Sequence, residues 1–126
     1  MAKTVVTTSE APAAVGPYSQ AISAHGVVYC SGQVPLEPST GELVGATVAD
    51  QTRTCLENLA AVLNAAGTSL AGVVKVTAYL TDLGDFDEFN TAYSEFFATD
   101  PPARATVGVA ALPRGASVEV ECIALA

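Results

Sequence analysis

Basic side chains are scarce. Lys3, Arg53, Lys75, Arg104 and Arg114 are the five in 126 residues, against thirteen acidic ones, and the net charge is -8. They form no cluster. A nucleic-acid surface needs a track of positive charge to displace counterions, so broad nucleic-acid binding is disfavoured. Long-range steering of an anionic substrate is weak for the same reason. An anion has to be caught by one well-placed cation at close range. Histidine occurs once, as His25, and the three cysteines, Cys30, Cys55 and Cys122, are odd in number and far apart in sequence. No zinc spacing such as CxxC exists, so no metal site is expected. A disulfide framework is not expected either, and each cysteine reads as a small buried apolar side chain. GxxxxGK[ST], GxGxxG and HExxH are absent, and a serine-histidine-acid triad would have to use His25, in a predicted turn. No apolar run approaches the roughly 18 residues that span a membrane. The start, MAKTVVTTSEAPAAVG, lacks the continuous apolar stretch of a signal peptide. The expectation is a soluble, cytoplasmic, single domain over residues 1–126, with no membrane partner.

The remaining residues pattern clearly. KTVVT over residues 3–7 reads as a short strand, followed by a loop closed by Gly16-Pro17. Residues 18–34 read as two strands around His25-Gly26, a hairpin, and PLEPSTGE as a loop. Residues 47–66 form the clearest helix, with Val48, Thr52, Cys55, Leu59, Val62 and Ala66 at three- and four-residue spacing. Thr47 suits its N-cap and Gly67 its end. VVKVTAYL, residues 73–80, is β-branched and aromatic, hence a strand. In DFDEFNTAYSEFF, Asp85 and Glu88 are spaced much like a capping box, and Phe86, Phe89, Tyr93 and Phe97 fall on one helical face. Strands from about Arg104 to Val109 and from about Ser117 to Leu125 close the chain. The fold class is α+β, a single mixed sheet with two helices packed on one face.

Two helices cover only one face of that sheet. In the last strand Val118, Val120, Cys122 and Ala124 make one face, and Glu119, Glu121, Ile123 and Leu125 the other. A fully solvated face would be more uniformly polar. The second face is therefore expected to be partly covered by another copy of the chain, in a small symmetric oligomer.

Several residues have the chemistry of a site. Arg104 opens a strand on which it and Thr106 point one way and Ala105 and Val107 the other. It reads either as an edge arginine paired with a surface acid or as a guanidinium fork for a substrate carboxylate. Glu119 and Glu121 share a face. They read as a solvated rim, or as a pair in which desolvation raises one pKa and makes a better proton carrier. Tyr18 follows Gly-Pro at a loop-to-strand junction. Ser31-Gly32 lies inside a strand, where glycine marks close approach of something else to the backbone. Asn90 lies at the edge of the second helix's buried face.

APAAVGPYSQA, YCSGQVPL, NLAAVLNAAG, VVKVTAYLTDL, FNTAYSEFF, PPARATV and ALPRGASVEVE stand in this order over nearly the whole chain. Together they resemble the RidA family of reactive intermediate deaminases, also called YjgF-like proteins. The resemblance implies a fold like trimeric chorismate mutase and a homotrimer with sites in the clefts between subunits. It implies hydrolysis of 2-imino acids and enamines such as 2-aminoacrylate and 2-iminobutanoate to 2-oxo acids and ammonia. No cofactor or metal is needed. By position, Arg104 resembles the residue that binds the substrate carboxylate and Glu121 the acid that positions the water. Tyr18 and Ser31 resemble site-lining residues, Asn90 an asparagine near the site and the subunit contact, and Gly32 a glycine that admits the ligand to the main chain. Thr106 stands where many members carry a cysteine, a departure that bears on substrate preference. A non-catalytic trimer that binds small carboxylates would use the same Arg104 fork. A ribonuclease, an activity attributed to some relatives, fits the charge of this chain poorly.

Overall fold

Alternating β-branched and aromatic residues favour extended chain. In the computed structural model, which describes residues 2–126, they form β1 (Thr4–Val6), β2 (Ala21–Ala24), β3 (Val27–Gln33), β4 (Val73–Leu80), β5 (Ala103–Gly108) and β6 (Val118–Leu125). The order in the sheet is β1-β2-β3-β6-β4-β5. Only β4 and β5 pair in parallel; the other neighbours are antiparallel, so the sheet is mixed as expected. His25 and Gly26, with φ of 52° and 76°, link β2 to β3. Two successive left-handed residues make the tight turn whose twist suits a hairpin.

Helix α1 runs from Val48 to Ala65 and α2 from Phe86 to Ser94. The Thr47 hydroxyl accepts from the Asp50 N–H at 3.1 Å, the expected N-cap, and Gly67, with φ of 85°, ends the helix. The capping box expected at Asp85 and Glu88 does not form. Asp85 makes no side-chain cap bond, and Glu88 instead accepts from the Ala49 N–H at 2.9 Å. The two helices pack side by side, so Glu88 satisfies an orphan donor of the neighbouring helix rather than of its own. The regular helix also stops at Ser94, short of Phe97, although Phe97 remains buried.

One face of the sheet carries the core. Val76, Ala78 and Leu80 of β4 and Val118, Val120, Cys122 and Ala124 of β6 are buried there with Leu56, Leu59, Leu63 and Phe89 of the helices. The opposite face presents Lys75, Thr77 and Tyr79 of β4, Glu119, Glu121 and Ile123 of β6, and Val107 of β5. That face is half apolar, and Tyr29, Val107 and Leu125 on it are exposed. Among the described residues no helix is long and apolar enough to cross a membrane.

The pairing of β3 with β6 is interrupted at one point. It runs from Val27↔Leu125 to Cys30↔Cys122, then shifts by one residue and resumes at Gln33↔Val120. Ser31 and Gly32 therefore both oppose Glu121. A bulge of this kind re-aims side chains where it occurs.

Candidate functional site

Arg104 lies near the start of β5, the edge strand. It is paired with Val76, which in turn is paired with Cys122. All three face the helices. The long side chain of an edge arginine has much rotamer freedom, and here α2 removes it. Asn90 Oδ1 accepts from Nη2 at 2.8 Å. The guanidinium carbon stands 4.7 Å from the ring centre of Tyr93, 5.3 Å from Phe89 and 5.7 Å from Phe86. These four α2 residues recur at three- and four-residue spacing, on one face of one helix. Stacking on rings consumes no N–H donor, and the Asn90 bond consumes one. Arg104 forms no ion pair among the described residues. The remaining donors are free for a planar anion, while the group itself is held still.

Two hydroxyls belong to the same layer. Thr106 pairs with Ala78 on the helix-facing side. Thr106 Oγ1 and Tyr93 Oη are buried without a hydrogen-bond partner among the described residues. Burial pushes the Tyr93 phenol up, and the nearby Arg104 charge works against that rise.

The other residues singled out in the sequence lie elsewhere. Glu121 pairs with Thr77, and Thr77 with Ala105, so its side chain leaves the sheet on the face opposite to Arg104. Tyr79 donates its phenol hydrogen to Glu121 Oε1. That bond, with burial and the carboxylate charge behind it, raises the Tyr79 phenol to about 12. Glu119, paired with Tyr79 on the same face, has its carboxyl raised by burial and then by the charge of Glu121.

Tyr18, Ser31, Gly32 and Glu119 line a cavity of about 400 Å³, with Pro113 and Arg114 also in its lining. The Tyr18 ring is half exposed, and its hydroxyl accepts from the Val15 N–H at 3.3 Å. The Ser31 hydroxyl donates to the Ser19 carbonyl at 2.6 Å, which ties β3 to the loop carrying Tyr18. Gly32 has a specific neighbour. A Cβ there would fall 2.1 Å from Glu119 Oε2. Within one chain the space above Gly32 is thus taken by a carboxylate rather than left open to the main chain.

One chain therefore holds two candidate half-sites. Arg104, Asn90 and Thr106 form one on the helix-facing side of the β5 edge. Tyr18, Ser31, Gly32 and Glu119 gather around the cavity, and Glu121 lies across from Ser31 and Gly32 at the bulge. Sequence reasoning separated neither half from the other, and it left Tyr79, Tyr93 and Arg114 out of the site. The period-two alternation of VVKVTAYL already places Tyr79 on one side of its strand with Lys75 and Thr77. Which residues of β6 it meets there depends on a long-range pairing.

The chain has clear relatives. The family model described as endoribonuclease L-PSP matches residues 8–126. A RutC family protein of Sinorhizobium fredii is 51% identical over 118 residues, 94% of each chain. The 2-iminobutanoate/2-iminopropanoate deaminase of Mus musculus is 48% identical over 121 residues, 96% of this chain and 90% of that one. The crystal structure of RidA from an Antarctic Psychrobacter superposes with a TM-score of 0.94 at 44% identity, over 98% of this chain and 99% of that one.

Proposed function

The chain belongs to the endoribonuclease L-PSP family, the RidA or YjgF-like proteins, and we propose that it hydrolyses small 2-imino acids and their enamine tautomers to 2-oxo acids and ammonia. The observation that carries this reading is the Arg104 cradle. A cation held by Asn90 and three rings, with donors to spare and no acid partner among the described residues, suits a small carboxylate. A chain with five basic residues and no positive track offers nothing comparable for RNA.

The two half-sites face opposite ways, so they meet only if the β5 edge of one copy lies over the open face of another. A homotrimer closes that arrangement by symmetry. It also covers Tyr29, Val107 and Leu125, which one copy leaves exposed. In the resulting cleft Arg104 and Asn90 hold the substrate carboxylate and place C2 against the face that carries Glu121. Fixing the reacting carbon in this way reduces the entropic part of the barrier.

The reaction moves both protons of the attacking water, one after the other. Water on the free oxygen of Glu121 attacks C2 of the protonated imine, and its proton passes to the carboxylate. The C–O bond forms and the tetrahedral carbinolamine results. Glu121 returns the proton to nitrogen, and its carboxylate then takes the hydroxyl proton as the C=O bond forms, the C–N bond breaks and ammonia leaves. Tyr79, kept protonated by its bond to Glu121, fixes one carboxylate oxygen and leaves the other for water. Imines hydrolyse unaided, so acceleration of about 10²–10⁴-fold by a positioned acid-base group is sufficient. Thr106 lies two residues along β5 from Arg104, where it bears on which side chain the substrate carries.

The test is an imine generated in situ by an amino-acid oxidase with semicarbazide as competing trap. Suppression of semicarbazone by wild type and not by Arg104→Ala is the expected result. If neither protein suppresses it while 2-oxobutanoate still binds, the chain is a carboxylate-binding protein without turnover.

A further inference from the structure

Cys30 and Cys122 stand some ninety residues apart in sequence, yet the fold sets them directly opposite each other in the register of β3 and β6. Both side chains lie on the core face, at 5% and 3% exposure, and both are free thiols. Directly opposed residues of an antiparallel pair have Cα atoms about 4.5–5.5 Å apart. That lies inside the roughly 4.4–6.8 Å that a disulfide bridges. The bond can therefore close without a register change. The next residues along each strand are site residues: Ser31 and Gly32 follow Cys30, and Glu121 precedes Cys122.

We infer that Cys30 and Cys122 form a reversible oxidation site, closed to an intrachain disulfide by a peroxide, which ties the strand of Ser31 and Gly32 to the strand of Glu121. The two thiols are not equivalent. Contact with Cys122 draws the Cys30 thiol below its ordinary value against the opposing effect of burial. The same contact, followed by burial, drives Cys122 up. Cys30 also borders the open pocket lined by Tyr18, Tyr29 and Ser31, by which a peroxide reaches it, so Cys30 is the attacking sulfur and Cys122 the resolving one.

The chemistry balances in two steps. The Cys30 thiolate attacks one peroxide oxygen, the S–O bond forms and the O–O bond breaks. The departing hydroxide takes up a proton and leaves as water. Cys122, deprotonated as it attacks, then displaces hydroxide from the sulfenic sulfur. The S–S bond forms, the S–O bond breaks, and a second water leaves. Two thiols are oxidised and one hydrogen peroxide is reduced.

Cys55 is the internal control. It is fully buried, its thiol donates to the Val118 carbonyl at 3.6 Å, and burial drives its pKa up. It lies on helix α1, outside the β3–β6 pairing.

The experiment treats the native protein with hydrogen peroxide, quenches, unfolds it and counts alkylatable thiols by intact mass, with peptide mapping under non-reducing conditions. The expected result is loss of two thiols together, one cross-linked peptide pair containing Cys30 and Cys122, an untouched Cys55, and full recovery with dithiothreitol. In Cys122→Ala the same treatment should leave a dimedone-reactive sulfenic acid at Cys30 and no intrachain bond. Should that variant fail to fold, the wild-type peptide map decides alone. Persistence of all three thiols overturns the inference, as does oxidation to sulfinic acid at single cysteines or disulfides between chains. The readout uses no substrate, so it stands apart from the imine reading.

Discussion

The two faces of the sheet hold their charged groups in opposite ways. On the helix-facing side, one cation is wrapped by three rings and an amide, with donors to spare. On the open side, two carboxylates stand two residues apart on β6, one bonded to a phenol and the other raised by burial and by its neighbour. A guanidinium tolerates an apolar cradle because it is weakly hydrated and stacks. A carboxylate in similar surroundings loses hydration and takes up a proton more readily. The first arrangement suits an anion, and the second has the chemistry of a proton carrier.

The largest break in that comparison is Arg104→Ala. Loss of two charge-assisted hydrogen bonds to substrate, at about 1.5–3 kcal/mol each, should lower kcat/KM by about 10²–10⁴-fold, read in the semicarbazide competition assay. Near wild-type kcat/KM would remove the anchor role. Glu121→Gln comes next. Its kcat should fall by about 10²-fold while KM stays close to wild type, since proton transfer is lost and the anchor is not. A rise in KM with kcat intact would instead place Glu121 in binding.

Smaller changes sharpen the boundary between the halves. In Tyr93→Leu the guanidinium loses its closest ring. KM should rise several-fold, about the worth of one cation–π contact, with kcat retained, and Tyr93→Phe should restore it. If Tyr93→Phe behaves like Tyr93→Leu, the unpartnered hydroxyl rather than the ring matters. Gly32→Ala places a methyl against the Glu119 carboxylate. The carboxylate is the far end of a flexible side chain that can swing aside, so the effect should appear in kcat/KM more than in the melting temperature.

The smallest effect is one of pH. The Glu119 carboxyl is raised in the folded chain, so between its ordinary value of 4.5 and its raised value the folded state binds more protons than the unfolded one. Stability therefore falls as pH rises through that window. Glu119→Gln should flatten this part of the profile of melting temperature against pH. An unchanged profile would mean that Glu119 is solvated in solution.

Much of the fold is visible in the order of residues. Helix α1 and strand β4 follow from three- and four-residue periodicity and from a β-branched run. Thr47 acts as the cap that its position suggests. The resemblance of PPARATV and SVEVE to RidA segments points to Arg104 and Glu121 as a pair. What local pattern cannot give is where partners separated by long stretches of chain meet. Glu88 has the spacing to cap its own helix and instead serves α1, because the helices pack together. Cys30 and Cys122 look isolated in sequence and become cross-strand neighbours.

The sequence by itself determined which segments are helix and strand, which side chains within a segment share a face, the scarcity of positive charge and the family. Those properties come from local periodicity, composition and motif order. The tertiary structure decided that Arg104 and Glu121 leave the sheet on opposite sides. It decided that Asn90, Phe86, Phe89 and Tyr93 converge on one guanidinium, and that a one-residue bulge sets Ser31 and Gly32 against Glu121. These depend on how β6 inserts between β3 and β4 and how β5 adds to the far edge of β4. Such pairings join residues far apart in the chain, and the gain from burying the whole sheet face selects them.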